Sequence, residues 1–447
     1  MSHKLQLFKA LNHLYWPILG IGCTYSFTPF INTLMLGHLS PELLAAGGLV
    51  NICYGFIMII FWGIFTTLGT LISRHKGGES FESISHLFKS ALVLAGVFGS
   101  IIALFFFLAM GGLLQKFHQA PEVLALAKPY INIMSLVMIP SLLLTVTAQL
   151  FYGLGKPRIV MLIAFIFMPI NIGLNYLLMY GKCGLPAMGI EGLGVGSLIT
   201  TSLNVLSLFW VIATQAPYKN YLHTGVWLNA TAAKELLMNG IPAGLVWLVE
   251  VGFFSGIALL MGMISVAALA AHELVFQIDM LVFALAANMG QALQILLGES
   301  VGKKQYQDIM PAYWIAQIFL MGLIGIVMLV TWCCPHIIIH LGLGANTSLN
   351  AETMEIALSL LLIMPIFLLL DSLGFMTFSA LRALKANRFS LAVVIGVYWV
   401  IILPILGVGV VHYHYFNPTD LWWFLCVGAT LSFALQFWRL TQITSKI

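Results

Sequence analysis

Long uninterrupted runs of apolar residues, separated by short polar stretches, make up most of this chain. A transmembrane helix needs roughly 20 mostly apolar residues to cross about 30 Å of hydrocarbon. The runs are continuous, whereas the strands of a membrane β-barrel alternate between apolar and polar side chains. We therefore predict twelve helices, near residues 13–36, 45–72, 89–114, 129–153, 159–181, 192–214, 236–262, 268–298, 312–334, 356–381, 389–411 and 420–440.

The composition supports this pattern, since 61% of the 447 residues are hydrophobic and only 8% are charged. Soluble domains carry about 25% charged residues. The difference excludes a soluble enzyme, a nucleic-acid-binding protein and a disordered chain. The predicted fold class is an all-α polytopic membrane protein.

The positive charges lie mostly on one side of the predicted membrane. If the N-terminus is inside, 16 of the 19 Lys and Arg residues fall in inner segments. The outer loops hold only Lys116, Lys128 and Lys182. Because inner loops of membrane proteins are enriched in Lys and Arg, we predict that both termini are cytoplasmic.

The chain also repeats itself weakly. Pro17 and Pro242 are separated by 225 positions, and so are Gly77 and Gly302. Coincidence is the alternative explanation, because Pro and Gly recur in any polytopic chain. Six helices in each half predict a parallel repeat about an axis along the membrane normal. The predicted organisation is an N-lobe at 1–214, a cytoplasmic linker at 215–235 and a C-lobe at 236–447.

Acidic side chains lie in the middle of predicted spans, whereas no Lys or Arg does. Glu250, Asp279 and Asp371 lie within the seventh, eighth and tenth helices, and Glu273 lies nearer a helix end. A charged side chain in hydrocarbon is costly, so each acid is a candidate functional residue. Carboxyl groups that exchange a proton, a sodium ion and an organic cation are what a cation-coupled antiporter requires. The alternative is a protonated acid that hydrogen-bonds a neighbouring helix.

Aromatic residues accompany two of these acids at helical spacing. Trp247 and Phe254 lie within one turn of Glu250, while Phe367 and Phe375 lie within one turn of Asp371. Aromatic faces attract cations, especially when water is excluded. An acidic, aromatic cavity suits lipophilic cations, although aromatic residues are common throughout the chain and also serve packing.

A neutral polar group is predicted in the N-terminal half. Asn171 and Asn175 are four residues apart and share one helix face, and Asn32 follows the helix-kinking Pro29. We predict that the three amides cluster, either as an ion or substrate site or as an interhelical hydrogen-bond network. The sequence Gly192-x-Gly194-x-Gly196 favours close helix packing.

The sequence has no motif for nucleotide hydrolysis or for a metalloprotease. It contains no Walker sequence and no H-E-x-x-H. No Cys or His group has metal-ligand spacing. We therefore predict a protein that is not an enzyme and needs no cofactor. A sodium ion or a proton, bound by acids within the predicted spans, is the predicted coupling ion.

Several segments in a fixed order along the whole chain resemble the multidrug and toxic compound extrusion (MATE) family, most closely its NorM-like bacterial branch. They are Ile31–Gly37, Asn171–Tyr180, Glu250, Ala270-Ala271-His272, Leu370-Asp371 and Ala380-Leu381-Arg382. The resemblance implies two six-helix lobes around a central cavity. It also implies export of organic cations, drugs and toxic compounds by alternating access, in exchange for sodium ions or protons.

The resemblance assigns cation coupling to Glu250 and Asp371, which match acids of NorM-like members, and polar roles to Asn171 and Asn175. The family usually has aspartate at the position of Asn32 and glutamine at that of Glu273. The missing acid at position 32 shifts the expected coupling towards the C-lobe.

The expected partners are small lipophilic or cationic substrates and membrane lipids, with no nucleic acid. The expected location is the bacterial inner membrane, where the chain acts as a monomer. A lipid-linked precursor flippase of the related superfamily is an alternative, disfavoured by the lack of Lys and Arg in the middle of the predicted spans. An integral-membrane enzyme is a further alternative, disfavoured by the missing catalytic motifs.

Overall fold

The computed structural model describes residues 3–117, 120–223, 225–343, 351–412 and 416–446. Within these ranges the chain is helical and has no β-strand. The first half contains α1 (His3–Gly37), α2 (Pro41–Gly77), α3 (Phe81–Lys116), α4 (Pro121–Gly153), α5 (Pro157–Tyr180), α6 (Ile190–Thr214) and the short α7 (Ala216–His223).

The second half begins with α8 (Ala230–Ile264) and α9 (Val266–Gly302), which meet at Ser265. It continues with α10 (Ile309–Cys333), α11 (Pro335–Leu343) and α12 (Ala351–Ala383). A nearly continuous helical stretch then combines α13 (Asn387–Val394), a π-helical segment (Ile395–Ile402) and α14 (Leu403–Val411). The last helix is α15 (Pro418–Thr444).

In the described ranges, eleven helices are long and apolar enough to cross a membrane, counting residues 387–411 as one. α1 is 35 residues long but is not among them. With α1, the long helices match the twelve predicted segments in order, which confirms the all-α polytopic fold class. Several helices start earlier than predicted, as α3 does at Phe81, because backbone hydrogen bonding continues through polar residues that end an apolar run.

The chain forms two compact units. The C-terminal unit comprises Met1–Tyr15 and Leu245–Ile447, and the N-terminal unit comprises Trp16–Gly244. In the C-terminal unit α12 packs against both α9 and α15. The start of α1 is held there by His3, whose Nε2 lies 2.7 Å from Asp308 Oδ1. The predicted lobe boundaries at 214 and 236 stay a prediction.

Within the N-terminal unit, α7 and the residues after it are fixed to α3. Lys89 is fully buried, and its Nζ donates a hydrogen bond of 2.8 Å to the carbonyl oxygen of Gly225. Ser85 Oγ donates to the carbonyl oxygen of Tyr221 at 2.9 Å, and the Tyr221 ring stacks on Phe81 at 4.4 Å. Burial raises the pKa of the Tyr221 phenol. The predicted linker is therefore anchored at several points to one helix.

Close packing of α2 and α4 depends on a glycine at the end of α4. A Cβ atom at Gly153 would lie 2.6 Å from Ile72 Cβ and 2.7 Å from the carbonyl oxygen of Gly69. Small residues let transmembrane helices approach closely and gain dispersion contacts. Gly153 thus sets the distance between the two helices.

Gly153→Leu is expected to destabilise the protein by about 1–3 kcal/mol, the usual penalty for overpacking a dense interior. The measurement is the thermal unfolding midpoint of the purified variant in detergent. Gly112→Leu in α3 is the matched control, because no atom lies within 4 Å of the position of its Cβ. Equal midpoints for the two variants would contradict this account of the α2–α4 contact.

Candidate functional site

A cavity of about 820 Å³ lies inside the C-terminal unit. Its wall is formed by α8, α9, α12, α15 and the segment from α13 into the π-helix. Ligand cavities in proteins typically measure about 300–1,000 Å³. The site residues predicted from sequence that line this cavity are Glu250, Glu273, Asp371, Trp247, Phe254 and Phe375.

The two acids at the centre of the prediction share this cavity. Glu250 lies on α8 and Asp371 on α12, and both side chains are partly buried. The two carboxyl groups interact electrostatically. Two carboxyl groups in one partly enclosed, largely aromatic space form a site that favours a bound cation or proton over an empty, doubly charged state.

Arg382 directly follows the tenth predicted helix, which ends at residue 381, but in the structure it still lies within α12. α12 extends to Ala383, so Arg382 lies in its last turn, where it is only 6% exposed. The guanidinium lies 5.3 Å from the centre of the Phe378 ring and interacts electrostatically with Glu250. The acids therefore do have a neighbouring cation.

Two other predicted residues lie outside the cavity lining. Asp279 is 1% exposed, its Oδ1 has no hydrogen-bond partner, and it interacts electrostatically with Asp371. Phe367 packs edge-to-face against Phe254, with ring centres 6.2 Å apart. Both residues can act on a bound ligand only through the residues that line the cavity.

Five side-chain rings from four helices contact one another in a closed cycle. The cycle lies in the C-terminal unit near the α8–α9 turn. His272 stacks on Phe276 at 5.6 Å, and Phe276 lies 4.9 Å from Phe254. Phe367 contacts Phe254 and, at 5.8 Å, Trp422. Trp422 closes the circuit by donating a hydrogen bond from Nε1 to His272 Nδ1 at 3.2 Å. Because Nδ1 accepts, the proton of the neutral imidazole is on Nε2.

Sequence reasoning missed Tyr398, which lines the same cavity from the π-helical segment. Its ring lies 4.8 Å from that of Phe253. The segment precedes Pro404, which has no N–H to donate to the carbonyl oxygen of Val400. π-helical turns are frequent at functional sites. Pro404 was the only sequence signal for this irregularity.

Ser432 and Gln436 on α15 also line the cavity, and neither was predicted. They are 4% and 3% exposed. Gln436 Nε2 donates to Ser432 Oγ at 2.9 Å, whereas Gln436 Oε1 has no hydrogen-bond partner. Uncharged polar residues within an apolar helix gave no signal that separated them from packing residues.

The three amides predicted to cluster do so within the N-terminal unit. Asn175 Nδ2 donates to both Asn32 Oδ1 and Asn171 Oδ1, each at 3.0 Å. Asn175 is fully buried. Gly196 of α6 gives it space, since a Cβ at that position would collide with Asn175 Oδ1. The predicted close packing of the α6 glycines is confirmed, with Gly192 and Gly196 against α5 and Gly194 against α4. A binding role for the amides stays a prediction.

Within the described ranges, no three His, Cys, Asp or Glu side chains are grouped so that they could hold a metal ion.

The profile of the MatE family matches residues 17–177 and 242–406, most of both halves. The chain belongs to the MatE family. This membership confirms the resemblance read from the motifs. Members of the family are transporters and not enzymes, so the protein is a multi-pass membrane transporter.

Relatives of this MatE transporter carry a consistent name. The probable multidrug resistance protein NorM of Pseudomonas syringae pv. tomato is 29% identical, over 96% of this chain and 94% of the relative. The multidrug resistance protein NorM of Burkholderia vietnamiensis is 26% identical, over 93% and 90%.

Solved structures share the fold of this MatE transporter. The bent form of the Vibrio cholerae MATE transporter VcmN has a TM-score of 0.88 and 20% identity, covering 99% of this chain and 98% of that one. A MOP superfamily transporter from Pyrococcus furiosus also has a TM-score of 0.88, with 18% identity and coverage of 100% and 98%.

Asn32 and Glu273, the two residues of this MatE transporter that differ from the usual family residues, have different surroundings. Asn32 lies in the amide cluster, where it accepts a hydrogen bond that an aspartate could also accept. Glu273, which is exposed, lines the cavity that also contains Glu250 and Asp371. The first departure removes an acid from one unit, and the second adds one to the other.

Proposed function

We propose that this MatE transporter exports lipophilic and cationic compounds, drugs included, in exchange for a sodium ion or a proton. The observation that carries the proposal is the shared cavity of Glu250 and Asp371, which is large enough for a drug-sized molecule. The names of the relatives, multidrug resistance proteins, support this substrate class.

Exchange of substrate for coupling ion follows if one site binds either the organic cation or the coupling cation, but not both at once. Carboxylate oxygens bind a proton or a sodium ion, and the aromatic wall attracts an organic cation. Arg382 interacts with Glu250, so an ionised carboxylate retains a partial counter-charge after its cation has left. The counter-charge lowers the free-energy cost of the site without a bound cation. The cation can therefore be released, although the carboxyl groups still bind it.

The charge of the cavity also bears on the flippase alternative. An exporter of lipid pyrophosphates would need an excess of cationic groups. Near this cavity Glu250, Asp371, Glu273 and the buried Asp279 outnumber Arg382. The acidic excess favours a cationic substrate.

We further propose that the protein lies in the bacterial inner membrane with both termini in the cytoplasm, as the Lys and Arg distribution predicts. Alternating access of the two halves, without a further cofactor and in a monomer, completes the proposed cycle.

The test uses purified protein in liposomes with ethidium at the same concentration inside and outside. A sodium gradient and a proton gradient are imposed separately, each with the other held at zero by a selective ionophore. The proposal expects ethidium movement against its gradient under at least one of these conditions. Movement that neither gradient drives would refute cation coupling.

A further inference from the structure

We propose that Glu273 forms a second cationic subsite in the cavity, so that the transporter prefers elongated dications. One charged end of the substrate, the inner head, binds at Glu250 and Asp371. The other charged end binds at Glu273. This inference rests on the proposed function and names a substrate class for the same site.

The cavity is long enough for such a guest. On α8 its lining runs from Trp247 to Gly262, and on α9 it runs from Leu269 to Phe283. At 1.5 Å per helical residue each stretch covers about 21–23 Å. A single small cation would fill only part of that length.

The two acidic positions lie at different levels of the cavity. Glu250 precedes the α8–α9 turn at Ser265 by fifteen residues, and Glu273 follows it by eight. Along the two helices their levels therefore differ by about 10 Å. No described residue forms a salt bridge with Glu273. A cation at this level would find an unpaired carboxylate.

The wall between the two levels is aromatic. Phe254 lies one turn from Glu250, and Phe276 lies one turn from Glu273, with their rings 4.9 Å apart. Both line the cavity. A flat or apolar spacer that joins two cationic heads would pack against these rings.

Gln436 gives an independent indication of a ligand and of the chemistry of the inner head. Its side chain lines the cavity while being only 3% exposed, and its Oε1 has no hydrogen-bond partner. An unsatisfied buried acceptor is costly, and an N–H group of a guest would satisfy it. Its partner Ser432 lines the cavity together with Tyr398 and Asp371. The inner head is therefore a cation with N–H donors, such as an amidinium.

A simpler effect of Glu273 must be separated from a subsite. An exposed acid can raise the local concentration of every cation, an effect that salt screens. Such steering acts on monocations and dications, whereas a subsite acts on the second head alone. The ratio between transport of a dication and of a matched monocation distinguishes the two.

The experiment measures kcat/KM for an aromatic bis-amidine and for a mono-amidine of the same skeleton, whose second amidine is replaced by a neutral carboxamide. Glu273→Gln is expected to lower the bis- to mono-amidine ratio by about ten- to a hundredfold, as for the loss of one hydrogen bond to a charged group. The matched control is Glu352→Gln, which removes an exposed acid from the first turn of α12 that does not line the cavity. The control is expected to leave the ratio unchanged.

An unchanged ratio in Glu273→Gln, with both compounds slowed equally or not at all, would overturn the subsite. A ratio change that also occurs in Glu352→Gln would overturn it too. Failure of the proposed function looks different, since wild-type protein would then move neither amidine under any cation gradient. Size-exclusion chromatography of both variants confirms that they fold.

Discussion

Glu250→Gln is expected to abolish ion-driven efflux while the protein still folds and inserts into the membrane. The amide keeps the size of the side chain and its hydrogen-bonding ability, but it takes up no proton in the working pH range and has no negative charge to balance a bound sodium ion. The electrostatic interaction of Glu250 with Asp371 and Arg382 is lost at the same time.

The fold should tolerate this change, because Asp371 remains in the cavity and still offers negative charge in this region of the unit. The measurement compares ethidium efflux by wild-type and Glu250→Gln protein in liposomes under the gradient that drives the wild type. Glu352→Gln again serves as the control for the loss of one negative charge. Efflux at the wild-type rate in Glu250→Gln would refute the assignment.

Asp371→Asn is expected to reduce transport to the background level, whereas Asn32→Ala reduces it only partly. Asp371 shares the cavity with Glu250, but Asn32 is an uncharged member of a separate cluster. Removing Asn32 deletes one hydrogen bond from Asn175, which is worth about 0.5–1.5 kcal/mol and corresponds to about a two- to tenfold effect.

Asn32→Asp is the informative companion of these variants. A carboxylate oxygen can accept the hydrogen bond of Asn175 Nδ2 that the amide oxygen accepts now. We therefore expect transport close to the wild-type level. If Asn32→Ala is as inactive as Asp371→Asn while both proteins fold, then the coupling chemistry is not concentrated in the C-terminal unit.

The helices and the acids were predictable because each depends on a strong local constraint. Hydrocarbon thickness imposes a minimum length on every apolar run, and a carboxylate within such a run is conspicuous. The amide cluster was predictable because two of its members lie on one face of one helix.

The remainder of the site depends on tertiary packing or on small irregularities of the backbone. The extra helical residues that bury Arg382 do not follow from hydropathy. The π-helical segment that presents Tyr398 shifts the helical register, so simple periodicity misplaces that side chain. The pairing of Trp422 with His272 joins residues 150 positions apart. Other cavity residues, such as Phe276, are lost among the aromatic residues that make up 12% of the chain.

The neutrality of the Asn32–Asn171–Asn175 cluster has an electrical consequence. Its amides carry no charge. The membrane voltage therefore acts on the transport cycle through the coupling ion and the substrate that the C-terminal unit binds. Each elementary charge moved through 100 mV is worth about 2.3 kcal/mol. One entering cation exchanged for one departing monocation moves no net charge, whereas exchange for a dication drives a net outward current. An inside-negative potential would therefore hinder export of the dication and leave that of the monocation unaffected.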